Sequence, residues 1–181
     1  AIIGSLLNAK GEDLTGTILE EKVSRPQSKV MWGKLQDSAW IADGSDKAEK
    51  IIYVFTDPNC PYCKRLWQDA RPWVDAGKIQ LRHVMVGTLG ENSQKKAAFM
   101  LAAKDPKAVL QGNESGKAPA KEAKVVEAKQ LQQLENNQQL MATLGASGTP
   151  AILYIDATGM LQMHPGAPQG AQLIELFGPR P

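Results

Sequence analysis

Blocks of apolar residues in the middle of the chain predict a strand, a helix and a second strand. Residues 51–56 form a continuous apolar run, which is typical of a strand buried on both faces. Asp57-Pro58-Asn59 is typical of a turn. Beyond it, apolar residues recur at helical spacing from Tyr62 to Val74, and Pro72 is predicted to kink this helix. Residues 79–86 have the pattern of the next buried strand. The order predicts a βαβ unit with parallel strands and a right-handed crossover.

The second half of the chain adds a helical block and a return to sheet structure. Residues 91–144 have a mostly helical pattern, interrupted by a loop predicted at 112–119. Residues 151–155 and 160–163 have the pattern of an antiparallel hairpin, and 169–177 that of a final helix. The succession strand, helix, strand, helical block, hairpin and helix predicts an α/β protein of thioredoxin-like fold. The block at about 91–144 is then a helical insertion.

The first fifty residues show a weaker pattern. A strand entering a bend is predicted from four apolar residues that precede a turn signal: Ile2, Ile3, Leu6 and Leu7. Pro26 breaks the chain, and Ser28 is predicted to cap a short helix after it. We expect a linker with this helix over 25–48 and the main domain over 49–181.

Charge and composition exclude several classes of function. The chain has 21 basic and 19 acidic residues, and this balance gives no attraction to nucleic acid or an anionic membrane. Its apolar runs are far too short to span a bilayer. It begins at Ala1 without a readable targeting signal, so we expect a processed or trimmed product. Its two cysteines are too few for a small secreted protein held together by disulfides.

Both cysteines lie in one motif, Cys60-Pro61-Tyr62-Cys63, at a predicted junction of strand and helix. Pro61 suits the first helical position, where a missing N–H costs nothing. Cys60 then lies where unpaired N–H groups and the helix dipole favour an anion, which predicts a thiolate. Two intervening residues bring Cys63 close enough to close a short, reducible disulfide. The motif predicts that Cys60 attacks a substrate disulfide and that Cys63, the more buried sulfur, resolves the mixed disulfide.

Two other interpretations of the motif remain open. A zinc site needs about four ligands, and beyond the two cysteines only His83 and His164 are typical partners. A purely structural disulfide is the other alternative, although a loop of two residues restrains little chain entropy. We interpret His83 as a satisfied core or edge histidine and His164 as an exposed loop residue. No metal or other cofactor is expected.

Thr149 and Pro150 form the second candidate element of the site. They enter a strand after the helical block, which fits a cis-proline loop that faces the cysteines. Taken alone, a trans proline at the start of an edge strand is the more frequent arrangement. The cysteine motif favours the cis interpretation. A proline there offers no N–H and leaves neighbouring backbone groups to pair with a substrate strand.

Three stretches of the chain resemble the DsbC/DsbG family of bacterial periplasmic disulfide isomerases, and most of all its DsbG members. These are the cysteine motif with residues 54–58 before it, the segment at 70–78, and Gly148 with Thr149 and Pro150. The resemblance implies a periplasmic thiol–disulfide interchange protein that the membrane reductase DsbD keeps reduced. It implies isomerase or reductase activity on misoxidised proteins, and rescue of single cysteines oxidised to sulfenic acid.

By position in the family, the resemblance implies roles for single residues. Cys60 is the nucleophile, Cys63 the resolving thiol, and Thr149 and cis-Pro150 the loop that faces the substrate, with Pro61 and Tyr62 beside them. Family members are homodimers through an N-terminal domain, of which residues 1–24 would be a remnant. Thioredoxin buries an aspartate six positions before its first cysteine. That position is Val54 here and supplies no carboxylate.

Two other functions are compatible with the same residues. A chaperone-like binder of unfolded periplasmic chains would hold its clients without needing either cysteine. A dithiol oxidant would donate its disulfide instead of reshuffling or reducing others. The reduction potential separates the last case, because strong oxidants lie near −120 mV and reductants near −270 mV.

Overall fold

A five-stranded mixed sheet forms the centre of the molecule. The computed structural model describes residues 7, 9–11, 13 and 15–181. The strands lie in the order β1-β3-β2-β4-β5, and only β2 and β3 are parallel. Their bounds are β1 Trp40–Asp43, β2 Lys50–Thr56, β3 Ile79–Met85, β4 Ala151–Ile155 and β5 Leu161–Pro165. The predicted parallel pair and the predicted hairpin are both confirmed.

The crossover between β2 and β3 consists of two helices, α3 Pro61–Asp69 and α4 Arg71–Asp75. The predicted kink at Pro72 is confirmed, because the helix breaks at Ala70 and Pro72 lies in the first turn of α4. Apolar residues of α3 and α4 pack with Ile52 and Val54 of β2 on one face of the sheet. Tyr53 and Phe55 alternate with them and pack into a second core on the opposite face. The strand is therefore buried on both faces, as its apolar run predicts.

Three helices form the predicted insertion: α5 Glu91–Ala102, α6 Pro106–Ser115 and α7 Ala128–Thr143. The loop predicted at 112–119 is wrong in its first part, because α6 continues to Ser115. Gly112 does not end the helix. Its missing side chain leaves room for Ala118, whose backbone N–H donates to the Gly112 carbonyl at 3.0 Å. This contact folds the segment after α6 back against it. The final helix, α8 Ala171–Phe177, packs on the core of the crossover.

The N-terminal part differs from prediction at Pro26 and Ser28. Helix α1 Thr15–Leu19 continues through a π-helical turn, Glu20–Ser24, into α2 Arg25–Gln36. The predicted cap at Ser28 is wrong, because Ser28 lies inside α2, where its hydroxyl accepts a hydrogen bond from Leu161 N–H at 3.1 Å. Pro26 does not break the chain as predicted: it is the second residue of α2, which begins directly after the π-helical turn, and that turn closes with a hydrogen bond from Arg25 N–H to the Glu20 carbonyl. The predicted N-terminal strand falls mostly outside the described residues, although Leu7 bridges Asp13 across the predicted bend.

The sheet also contains residues that the sequence places in the linker. β1 pairs with β3 in antiparallel fashion, and Asp43 at its end forms an ion pair with Arg71 of α4. His164 lies in β5 opposite Ile152 and not in a loop, so its predicted setting is wrong. No helix among the described residues is both long enough and apolar enough to cross a membrane.

Candidate active site

The two cysteines lie at the N-terminus of α3, where the chain turns out of β2. The turn closes with a hydrogen bond of 3.0 Å from Cys60 N–H to the Asp57 carbonyl. Cys60 is the N-cap, with an extended backbone, and Pro61 is the first helical residue as predicted. Both sulfurs are free thiols. Cys63 is the more buried of the two, by a small margin: its residue is 1% exposed and that of Cys60 3%.

The surroundings shift the pKa values of the two thiols in opposite directions. The pKa of Cys60 falls to about 6, chiefly because Cys63 donates a hydrogen bond to its sulfur, with further donors in the Thr149 side chain and the backbone N–H groups of Cys63 and Tyr62. Burial opposes this shift. The same hydrogen bond, burial and the negative charge of Cys60 raise the pKa of Cys63. At neutral pH the pair is therefore one thiolate and one thiol.

We expect the Cys60 thiolate of the reduced protein to titrate with an apparent pKa of about 6, followed by its ultraviolet absorbance. In Cys63→Ala, which removes the largest favourable hydrogen bond, the pKa should rise toward the ordinary value of 9.0. Cys63→Ser is the matched control, because its hydroxyl can still donate and should keep the pKa low. Equal pKa values in the alanine and serine variants would contradict the assignment.

The loop that precedes β4 faces Cys60. The peptide bond between Thr149 and Pro150 is cis, as predicted. In the thiol form, Cys60 Sγ donates to the Thr149 carbonyl at 3.2 Å. Pro61 and Tyr62 are exposed at the start of α3, with 59% of Tyr62 accessible. The structure thus brings Cys60, Cys63 and Thr149 together.

Two cavities clarify where a ligand could approach. A cavity of about 210 Å³ is lined by residues of the cis-proline loop and by Met163 and Pro165 of β5. A larger cavity, of about 470 Å³, lies between α2 and α7 and is lined by none of the predicted site residues. We therefore take the smaller cavity as the one next to the chemistry. In the described part of the chain, no three His, Cys, Asp or Glu residues are grouped as a metal ion would require.

Asp57 organises the turn that holds Cys60. Its buried carboxylate accepts hydrogen bonds at one oxygen from Asn59 N–H and the Ser93 hydroxyl, at 2.9 and 2.7 Å. The other oxygen accepts from the N–H groups of Thr88 and Leu89, at 2.8 and 3.0 Å. Sequence reasoning assigned Asp57 to turn chemistry alone. Its hydrogen bonds to residues 88–93 connect the turn to the segment that begins the insertion. No pattern among neighbouring residues in the sequence predicts these bonds.

A second buried carboxylate, Glu114, was missed because it lies in the predicted loop. It is 1% exposed, near the end of α6. Its neighbour Asn113 uses one side-chain amide to bind both the Pro58 carbonyl and Glu114 Oε1, each at 2.9 Å. This amide connects α6 to the turn that carries Cys60. Val54 lies where thioredoxin has its buried aspartate, so that position supplies no carboxylate, as the sequence indicates. A buried carboxylate comes instead from Glu114 of α6.

His83 is buried in β3, and its predicted setting is only half right. Its Nδ1 lies 2.8 Å from the Thr56 hydroxyl and is satisfied. Its Nε2 has no hydrogen-bond partner within the described residues and lies 3.8 Å from Asp43 Oδ2. The histidine therefore belongs to a buried polar group that also includes the Asp43–Arg71 ion pair.

Known proteins similar to this chain agree with its fold and indicate its family. A family model described as a thioredoxin-like domain matches residues 41–178. The chain is 49% identical to the thiol:disulfide interchange protein DsbG of Pseudomonas aeruginosa, over 99% of this chain and 71% of that protein. It is 42% identical to DsbG of Escherichia coli, over 98% of this chain and 73% of that protein. The solved catalytic domain of Proteus mirabilis ScsC superimposes with a TM-score of 0.66 at 24% identity, over 84% of this chain and 96% of that chain.

The fold, the cysteine pair and these relatives define a thiol–disulfide oxidoreductase of thioredoxin-like fold. More closely, the chain belongs to the DsbC/DsbG family of thiol:disulfide interchange proteins. The family resemblance expected from the cysteine motif is therefore confirmed.

Proposed function

We propose that the Cys60 thiolate attacks a sulfur of the substrate and that Cys63 resolves the resulting mixed disulfide. The observation that carries this proposal is the placement of Cys60 as the N-cap of α3, facing Thr149, with the more buried Cys63 one turn further on. The opposite directions of their pKa shifts agree with this placement. In the first step an S–S bond forms to Cys60 as the substrate disulfide breaks and releases a thiolate. Cys63 then attacks Cys60 and releases the substrate as a second thiolate. If a substrate thiol attacks instead, the net reaction is isomerisation.

Four residues around Cys60 are proposed to contact the substrate. The Thr149 carbonyl lies 3.2 Å from Cys60 Sγ, so a substrate backbone N–H can replace the thiol as its donor once Cys60 ionises. Pro150 fixes this loop, and its own carbonyl is held by Gly166 N–H at 2.8 Å. Pro61 and the exposed ring of Tyr62 supply an apolar surface at the helix start.

The same chemistry extends to sulfenic acids, and we include them among the proposed substrates. Cys60 attacks the sulfur of a cysteine sulfenic acid and forms a mixed disulfide, while the hydroxyl leaves and takes up a proton to become water. Cys63 then resolves the bond, so the substrate is reduced to a thiol and the pair is oxidised to a disulfide. Two electrons from a dithiol reductase must restore the pair.

The proposed setting is the periplasm, with the membrane reductase DsbD as the source of electrons. The support is the identity to two DsbG proteins. Substrates are then misoxidised or sulfenylated periplasmic proteins. We further propose that residues 1–24 belong to the N-terminal domain through which family members dimerise, and that catalysis resides in the sheet domain.

The proposal is tested with two substrates in parallel: scrambled ribonuclease, and a protein with a single cysteine oxidised to sulfenic acid. The reduced chain should restore ribonuclease activity and should return the single cysteine to its thiol, as mass spectrometry reports. Cys63→Ser should instead accumulate a covalent complex with the sulfenylated protein.

Reduction potential is the companion measurement. A potential near −120 mV, together with stoichiometric oxidation of reduced substrates, would identify an oxidant and contradict the proposal. Reduction of disulfides without any reaction at the sulfenic acid would restrict it to disulfide exchange. Aggregation assays on a variant that lacks both cysteines test the chaperone-like alternative, which alone predicts full activity there.

A further inference from the structure

Glu114 is a buried carboxylate with one oxygen left unpaired beneath the cysteine motif. Its Oε1 accepts from Asn113, but its Oε2 has no hydrogen-bond partner within the described residues. An unpaired carboxylate oxygen in a residue that is 1% exposed is costly to maintain. The same Asn113 amide binds Pro58, two residues before Cys60, so Glu114 is held against the turn of the active site.

Several charged or titratable groups face Glu114, and they come from two neighbouring elements. Burial raises the pKa of Glu114, and the charge of the Cys60 thiolate adds to that rise. His83 of β3, the Asn113 amide and Lys64 of α3 act in the opposite direction. Glu114 in turn contributes to the raised pKa of Cys63. The Glu114 carboxylate therefore interacts electrostatically with both cysteine sulfurs inside one buried region.

The proposed reaction needs a proton acceptor at this place. Cys63 can attack the mixed disulfide only as a thiolate, yet burial and the nearby charge of Glu114 still favour its neutral thiol once Cys60 is bonded to the substrate. Its residue is 1% exposed, so bulk water has little access to the proton. The most efficient acceptor is a nearby base whose pKa has been moved toward the working pH. A carboxylate whose pKa is raised by burial meets this description.

We propose that Glu114 accepts the Cys63 proton during resolution of the mixed disulfide, a role that rests on the function proposed above. The proton moves from Cys63 to the unpaired carboxylate oxygen, directly or through one water molecule. The Cys63 thiolate then forms a bond to Cys60 Sγ, and the bond from Cys60 to the substrate breaks. The substrate leaves as a thiolate, and protonated Glu114 later releases its proton to solvent. When the disulfide is reduced again, the same proton path runs backward.

A purely electrostatic role for Glu114 predicts the opposite result on substitution. If its charge only raises the pKa of Cys63, then Glu114→Gln lowers that pKa and speeds resolution. If Glu114 takes the proton, then Glu114→Gln slows resolution. The direction of the rate change therefore separates the two roles.

The experiment uses the reduced chain in slight excess over the chromogenic disulfide dithiobis(nitrobenzoate) in a stopped-flow instrument. The first released chromophore reports attack by Cys60, and the second reports resolution by Cys63. For Glu114→Gln we expect a first phase within a few-fold of the parent and a second phase slowed on the order of 10²-fold. The rate of the second phase should level off with pH in the parent but should rise about tenfold per pH unit in the variant.

Controls make every outcome informative. Glu135→Gln, at an exposed carboxylate of α7, should change neither phase. Glu114→Asp retains a carboxylate, so its second phase should still level off with pH, and this variant decides the question if Glu114→Gln does not fold. An unchanged or faster second phase in Glu114→Gln, or a steadily rising profile in Glu114→Asp, would overturn the inference. Loss of the first phase in the parent would instead contradict the proposed role of Cys60.

Discussion

Replacing Cys60 with serine is expected to abolish reduction and isomerisation of protein disulfides, with a rate loss on the order of 10³-fold or more. The thiol pKa of about 6 makes Cys60 largely a thiolate at neutral pH, whereas a serine hydroxyl stays protonated and cannot displace a sulfur. Insulin reduction with dithiothreitol as the electron donor measures the loss. The far-ultraviolet circular dichroism of the variant should be unchanged, because the serine side chain is close to isosteric.

Cys63→Ser is the matched control for this prediction. It retains the nucleophile and removes only the resolving thiol, so it should form a stable mixed disulfide in a single turnover and then stop. A gel without reductant should show that adduct for Cys63→Ser and none for Cys60→Ser. Insulin reduction that survives in Cys60→Ser, or adducts that form only through Cys63, would reverse the proposed roles.

The part of the fold that carries the cysteines could be predicted because its signals are local. The buried strand β2, the turn at 57–59, Pro61 at the first helical position and the kink at Pro72 each depend on neighbours within a few residues. The cis bond at Pro150 could be anticipated only together with the cysteine motif, since most such bonds are trans. The cysteine motif favoured the cis form, because a cis-proline loop that faces the cysteines fits a thiol–disulfide active site.

The rest of the site depends on contacts between distant segments. The Asp57 carboxylate binds N–H groups at residues 88 and 89, and Asn113 binds the carbonyl of Pro58. Neither pairing leaves a periodic pattern in the sequence. Gly112 misled prediction in the same way: glycine commonly marks a loop, but here it admits the backbone of Ala118 beside a helix. Glu114 therefore fell in a supposed loop, and its burial was not foreseen.

The helical insertion thus contributes contacts to the candidate active site. α5 supplies Ser93 to the Asp57 carboxylate, and α6 supplies Asn113 to the turn before Cys60. α7 contacts the sheet at a greater distance from the cysteines: the side-chain amide of Asn137 donates a hydrogen bond to the carbonyl of Met85 at the end of β3. A thioredoxin-like sheet and crossover helix place the two sulfurs, while the insertion fixes the turn that presents them. Changes in the insertion should therefore alter thiol reactivity.

Asp57→Ala is expected to lower the free energy of unfolding by about 3 kcal/mol. The substitution leaves the Ser93 hydroxyl and the N–H groups of Asn59, Thr88 and Leu89 without their acceptor. Ser93 is fully buried, so water cannot replace the lost carboxylate there. Urea unfolding of the oxidised protein measures the loss. The oxidised form is chosen so that ionisation of Cys60 does not contribute to the difference.

Asp57→Asn and Asp75→Ala complete this test. Asparagine has the shape of aspartate, but its NH₂ group replaces one carboxylate oxygen and must face N–H donors that it cannot accept from. Asp57→Asn should therefore lose more than half as much unfolding free energy as Asp57→Ala. Asp75 carries an exposed carboxylate that pairs with Arg71 at 3.6 Å, and its removal should cost less than about 1 kcal/mol. If Asp57→Ala unfolds at the same urea concentration as Asp75→Ala, the carboxylate does not hold the turn. Asp57→Ala can also be mixed with dithiobis(nitrobenzoate), whose first released chromophore reports attack by Cys60. If Asp57→Ala is destabilised and this attack also slows, then the same hydrogen bonds both stabilise the fold and position the Cys60 sulfur.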